Sequence, residues 1–119
     1  MPAQPTPAQA SGGEAEEAAA KFLVERGLRI IARNYRTRQG EIDLVAQDGD
    51  MLVFVEVRLR SSARFGGALG SIDGRKRARI VAAARHFLMR LGREPRCRFD
   101  VITLEGHEPQ WLRGAFDTT

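Results

Sequence analysis

The segment from Glu41 to Arg60 limits the fold of this chain more than any other. It holds two β-rich runs, Glu41 to Ala46 and Met51 to Arg60, separated only by Gln47, Asp48, Gly49 and Asp50. Asp-Gly between such runs is a strong hairpin signal, because glycine takes the positive φ of a tight turn at no steric cost. With Asp48 and Gly49 as the two central turn residues, Gln47 pairs with Asp50 and Asp43 lies opposite Phe54. Side chains alternate along a strand, so Glu56 shares a face with Asp43 and Phe54, and Glu41 lies opposite Glu56. Three carboxylates then share one face. Ile42, Leu44, Val53, Val55 and Val57 fall on the other, an apolar side that a one-residue slip would destroy.

The remainder of the chain is read around this hairpin. At 119 residues there is room for one domain with one core. Residues 1–11, a mixture of Pro, Ala, Gln and Thr, cannot bury enough apolar surface to offset the entropy of ordering and are expected to form a disordered tail, leaving 12–119 as the domain. From Gly13, residues Ala15, Ala18, Ala19, Phe22, Leu23 and Arg26 recur at helical spacing, and Gly27 supplies a left-handed stop. Leu28 to Tyr35 reads as a strand. Glycines 66, 67, 70 and 74 mark a connection, and Ile80, Ala83, Ala84, Phe87, Leu88 and Leu91 form the apolar stripe of a second helix, ended by Gly92 and Pro95. Cys97 to Leu104 reads as a fourth strand, with a short strand or helix over Glu108 to Phe116. The order α-β-β-β-α-β predicts a single α/β domain, a mixed β-sheet flanked by helices.

Charge narrows the partner. The net +4 conceals a block, residues 57–98, with 12 Lys or Arg against 2 acids. That asymmetry points to a polyanion, and nucleic acid fits better than an anionic membrane because no anchor rich in Trp or Phe accompanies it; the plainer alternative is a solvated helix face. The longest apolar runs, Met51 to Val55 and Ile80 to Ala84, fall far short of the ~20 residues of a membrane span. The first eleven residues lack the basic and hydrophobic regions of a secretory signal, which predicts a cytoplasmic protein. One cysteine, Cys97, beside only two histidines excludes an internal disulfide and argues against a structural zinc cluster. As a strand residue, Cys97 is expected to be buried and inert.

Like charges across strands are destabilising unless something positive lies between them. A divalent cation is the natural candidate: Mg²⁺ is commonly held by one or two carboxylates, with water and substrate phosphate completing its shell. Asp43 and Glu56 suit that role, and Arg58 and Arg60, on the same face by parity, suit a phosphate. The competing reading is a solvated salt-bridge face.

GEIDLVAQDGDMLVFVEVRLR, residues 40–60, resembles the signature of the YraN-type family of small bacterial proteins, assigned to the restriction-endonuclease-like PD-(D/E)XK superfamily and compared with archaeal Holliday-junction resolvases. The likeness extends over Gly12, Ala15, Glu16, Ala19, Phe22 and Leu23, Arg33 to Tyr35, Phe65-Gly66, Lys76, Arg98 to Val101, Trp111 and Ala115-Phe116. It implies a restriction-endonuclease-like fold and a metal-dependent endonuclease acting on DNA, with branched DNA suggested by the resolvases. It implies that Asp43 and Glu56 hold Mg²⁺ or Mn²⁺, that the carbonyl of Val57 completes the site, and that Glu16 approaches from the first helix to orient water or a second ion. Arg60, Arg64, Arg75, Lys76 and Arg79 would position the nucleic-acid backbone, and Arg58 would stabilise phosphate charge. A two-fold dimer follows only by analogy with the resolvases.

One residue departs from the pattern. The superfamily places Lys two residues after the Glu, where this chain has Arg58. Arginine keeps the charge and grips a phosphate, but it stays protonated and cannot act as a neutral base. Two readings therefore stand side by side, a Mg²⁺-dependent hydrolase and a non-catalytic nucleic-acid-binding module that keeps the fold. A protein-interaction adaptor has no motif behind it. His86 is expected to pack or reach solvent rather than catalyse, Tyr35 and Trp111 to serve core packing, and the glycine loop lacks the Gly-Lys-Ser/Thr of a nucleotide-binding loop.

Overall fold

The computed structural model describes residues 7–59, 72–105 and 108–116. Helix α1 (Pro7–Glu25) leads into β1 (Arg29–Arg36), β2 (Glu41–Asp48) and β3 (Met51–Leu59), followed by α2 (Gly74–Leu91), β4 (Arg96–Glu105) and β5 (Glu108–Phe116). The five strands form one sheet in the order β1-β2-β3-β4-β5. Only β3 and β4 run parallel among these neighbours, and α2 is part of the crossover that a parallel pair requires. The expected α-β-β-β-α-β order holds, and the last segment is a strand.

Each face of the sheet carries one helix. Ala19, Ala20 and Leu23 of α1 pack on Leu44, Ala46, Val53, Val55 and Ile102. On the opposite face Ile80, Val81, Ala83 and Ala84 of α2 pack on Val45, Leu52, Phe54, Phe99 and Val101. Alanines on both helices allow their backbones to approach the strands closely. The hairpin was expected to bury one side only; β2 and β3 are instead buried on both, as central strands covered by two helix layers are.

The glycine stops act as expected. Gly27 takes φ 92 and Gly92 takes φ 77, and the Gly92 N–H donates to the Leu88 carbonyl to close α2. At the other end of α2 the Asp73 side chain accepts from the Lys76 N–H at 2.9 Å, an N-cap not anticipated from the sequence. Helix α1 starts at Pro7, not Gly13, so the eleven-residue tail is too long an assignment. Proline at the first helical position sacrifices no internal hydrogen bond, and Ala8, Gln9 and Ala10 are good helix formers. Residues 1–6 lie outside the described residues.

The hairpin turn is centred two half-steps later than expected. Asp48 pairs with Met51 and Val45 with Phe54, so Gly49 and Asp50 are the central residues, with Gly49 at φ 64. Glycine in the first central position with only that residue at positive φ fits a II′ turn, whereas the expected arrangement placed it second. Each residue of β2 therefore faces a partner two positions further along β3, and parity is preserved.

Both margins of the sheet are irregular. β1 carries a bulge between Ile30 and Ala32 and a left-handed residue, Asn34, at φ 51. β5 shifts register against β4 between Phe99 and Val101, where Gly114 stands at φ 59. Cys97 lies on β4 as expected but is exposed, and the burial it does have raises its thiol pKa. No helix of the described residues is long and apolar enough to cross a membrane.

Candidate functional site

The site grows out of a break in the β2-β3 ladder. The last pair is Leu44 with Val55, and one step beyond it the regular register would set Asp43 against Glu56. There the Val57 N–H donates to Asp43 Oδ2 at 2.8 Å, so a side chain takes a backbone donor near the end of the ladder. The strand turns over at that point. Ile42, expected beside Leu44, Val53 and Val55, packs with Val45 and Phe54 under α2 instead. Asp43 is thus neither opposite Phe54 nor on a regular face, and Glu41 pairs with Arg36 across β1, not with Glu56.

Glu56 closes the buried run of β3 and is only 4% exposed. Its Oε2 is met by Lys76 Nζ at 3.2 Å and by Arg58 Nη1 at 3.4 Å. Its pKa is pushed up to about 7, first by burial, then by the charge of Asp43 and a hydrogen bond between the two carboxyl groups, with Lys76 opposing. Near neutrality Glu56 is therefore protonated for part of the time. Glu16, half-buried on α1, is also raised, by burial and then by Asp43, while a hydrogen bond from the Asn34 side chain pulls the other way.

The β1-β2 turn holds this end of β2 against α2. The Thr37 N–H donates to the Gly40 carbonyl at 2.8 Å, and the Thr37 hydroxyl oxygen accepts from the N–H groups of Gln39 and Gly40. Gly40 is buried so close to α2 that a Cβ would stand 2.2 Å from the Arg79 carbonyl oxygen. The need for glycine here is purely one of space.

The expected residues fall into three groups. Asp43, Glu56, Arg58 and Lys76 come together, and Glu16 lies within electrostatic reach of Asp43. Arg75 and Arg79 sit exposed on the first turns of α2, with Lys76 between them reaching Glu56. Arg60 and Arg64 lie outside the described residues. Asn34 was missed: it is one step from Tyr35 on β1, and the Tyr35-Ile42 pairing places it beside Asp43. Asparagine is the residue most tolerant of left-handed backbone after glycine, the one signal that could have marked it.

Among the described residues no group of three or more His, Cys, Asp or Glu is placed to hold a metal. The protein's own share of a cation site would be the Asp43-Glu56 pair. Its chemistry fits a hard divalent ion: two carboxylates from adjacent strands offer oxygen donors next to each other. The Val57 backbone, tied to Asp43, is adjacent.

A second buried carboxylate lies nearby. Asp100 on β4, fully buried, accepts from Arg98 Nε at 2.9 Å and Nη2 at 3.0 Å, from Trp111 Nε1 at 2.8 Å and from the Gly114 N–H at 2.9 Å. Arg98 also reaches Asp48 at 3.3 Å, and Arg113 lies 4.0 Å over the Trp111 ring. Trp111 thus serves structure, as expected. His86 is exposed, with its Nδ1 hydrogen-bonded to the Tyr35 hydroxyl at 2.5 Å.

Residues 15–104 match the model of the uncharacterised protein family UPF0102. The chain is 49% identical over 112 residues to a UPF0102 protein of Pseudomonas fluorescens, covering 91% of this chain and 93% of the relative. It is 54% identical over 111 residues to one of Cupriavidus taiwanensis, covering 92% and 84%, and 48% identical over 118 residues to one of Methylibium petroleiphilum, covering 93% and 97%. The chain belongs to the UPF0102 family, the YraN-type family of the resemblance above.

Proposed function

We propose that this UPF0102 protein binds nucleic acid, DNA foremost, and hydrolyses a phosphodiester with the help of Mg²⁺ or Mn²⁺ held by Asp43 and Glu56. The observation that carries the reading is Glu56 itself: a nearly buried carboxylate facing a second carboxylate, pushed up to about 7 and set below two cations. Burying two neighbouring carboxyl groups is costly even with two cations beside them. A divalent cation supplies charge neutralisation and activation of water at a phosphate.

The chain's own residues do the rest. Asp43 and Glu56 present their oxygens from two strands whose relative position is fixed by the Val57 N–H bond. Arg58 holds positive charge at the rim, and Arg75, Lys76 and Arg79 extend it along the start of α2, where a phosphate backbone can follow. Glu16, within electrostatic reach of Asp43 and Asn34, would orient water on the α1 side of Asp43.

The test is cleavage of labelled four-way junction, flap, single-stranded and duplex DNA in Mg²⁺ and in Mn²⁺, with Glu56→Ala from an identical preparation. Metal-dependent cleavage by the wild type that the variant lacks is the expected result. Salt-dependent binding by both proteins without cleavage by either overturns the hydrolytic half and leaves a binding module, with Arg58 as the first residue to examine.

A further inference from the structure

The cation closest to Glu56 comes from the second helix rather than from its own strand. Lys76 Nζ stands 3.2 Å from Glu56 Oε2, nearer than Arg58 Nη1 at 3.4 Å, and the lysine side chain is one-third exposed while the glutamate is sealed. The helix start is rigid, because Asp73 caps the Lys76 N–H and accepts the Arg77 N–H at its carbonyl. The four-carbon stem of Lys76 is the flexible part.

A divalent cation drawing on Glu56 and the Lys76 ammonium would compete for the same carboxylate. A doubly charged ion and an ammonium drawn to the same oxygen repel each other, so both cannot share it at no cost. A nucleic-acid phosphate resolves the conflict: it offers the displaced ammonium an anionic partner beside the metal, within the swing of one lysine side chain from a fixed Cα.

We propose that Lys76 is an exchangeable counter-cation, bound to Glu56 as it stands here and to a nucleic-acid phosphate when a divalent cation takes the carboxylate pair, so that metal and nucleic acid bind cooperatively through this residue. The inference rests on the metal and nucleic-acid reading above and adds its coupling. Lys76 is then a gate on metal affinity as well as a phosphate contact. By linkage, whatever factor nucleic acid adds to metal affinity, metal adds to nucleic-acid affinity.

The experiment uses the full chain and its Lys76→Met and Lys76→Arg variants, all of which keep a good helix former on a partly exposed helix position. Calorimetric titration with Mn²⁺ gives the metal affinity of the free protein. Stopped-flow anisotropy of a labelled DNA duplex, read before turnover with and without Mn²⁺, gives the coupling. Lys76→Met is expected to bind Mn²⁺ about tenfold more tightly than wild type, while its DNA affinity loses most of the enhancement that Mn²⁺ gives the wild type. Lys76→Arg, with the charge restored, is expected to stay within about twofold of wild type in Mn²⁺ affinity. Equal Mn²⁺ affinity in wild type and Lys76→Met, or DNA affinity of the wild type that ignores Mn²⁺, overturns the exchange while leaving the metal site standing. A wild type that binds no Mn²⁺ removes the metal reading itself, and the exchange with it.

Discussion

Two buried carboxylates sit one row apart on the parallel pair β3 and β4, and they are treated in opposite ways. Val55 pairs with Asp100 and Glu56 with Val101, so the groups share a sheet, a depth and nearly a height. Asp100 receives four donors from three residues, and those donors join β4 to the irregular stretch of β5 and, through Arg98, to the tip of the hairpin. Glu56 receives two longer ion pairs and faces another carboxyl group. A carboxylate buried to hold a fold is saturated with donors. Among the described residues Glu56 meets two cations and a like charge in place of that full set of donors.

The largest effect that would break this contrast is at Asp100. Asp100→Asn keeps the shape but removes the charge that matches Arg98 and turns one acceptor into a donor, and a loss of about 3–5 kcal/mol in urea unfolding is expected. A loss below about 1 kcal/mol would mean that the two carboxylates do not differ in kind.

Next comes Glu56, with the opposite sign. Its folded pKa of about 7 lies above the free value of 4.5, so the folded state binds this proton more tightly. Its contribution to stability is therefore full below about 4.5 and is lost as pH rises through about 7. Glu56→Gln removes that dependence and is expected to stabilise the metal-free protein at pH above about 8 by on the order of 3 kcal/mol. Unfolding curves across the range check it: wild type should weaken between these values and the variant should not. A variant less stable than wild type at high pH would show that Lys76 and Arg58 fully compensate the charge.

The smallest effect sharpens the contrast by showing what an ion pair does when burial is taken away. Arg33 Nη1 meets Glu17 Oε2 at 2.6 Å, shorter than any ion pair at Glu56, yet both side chains are about half exposed or more. Arg33→Ala is expected to shift unfolding by no more than about 0.5 kcal/mol.

Local and periodic features were legible in the chain. The hairpin, both glycine stops, the alanine and isoleucine stripe of α2 and the sheet-and-helix class follow from alternation, spacing and turn chemistry. Asp43 and Glu56 were brought together by parity, and parity survives a register error of two, which is why the two side chains meet although their assigned partners differ. What escaped depends on contacts between distant segments. Parity cannot choose between Gly49-Asp50 and Asp48-Gly49 as the turn, because a shift of two keeps every side chain on its face, and the flip at Ile42 accompanies an Asp43 side chain that takes a backbone donor. Lys76 was read as a phosphate contact because nothing in its own helix shows that the N-terminus of α2 lies over Glu56. Asp100 carried no signal of its own, since its four donors come from β4 and a bulge in β5.

The irregular margins of the sheet bear on how this protein behaves in a crowd. An exposed strand edge is a template on which another chain can crystallise its own hydrogen bonds, the route to swapped dimers and fibres. Here β1 interrupts the template with a bulge, a left-handed Asn34 and the charged side chains of Arg29, Arg33 and Arg36, and β5 does so with Pro109, Gly114 and its shifted register. Growth of the sheet by strand addition is disfavoured at both ends.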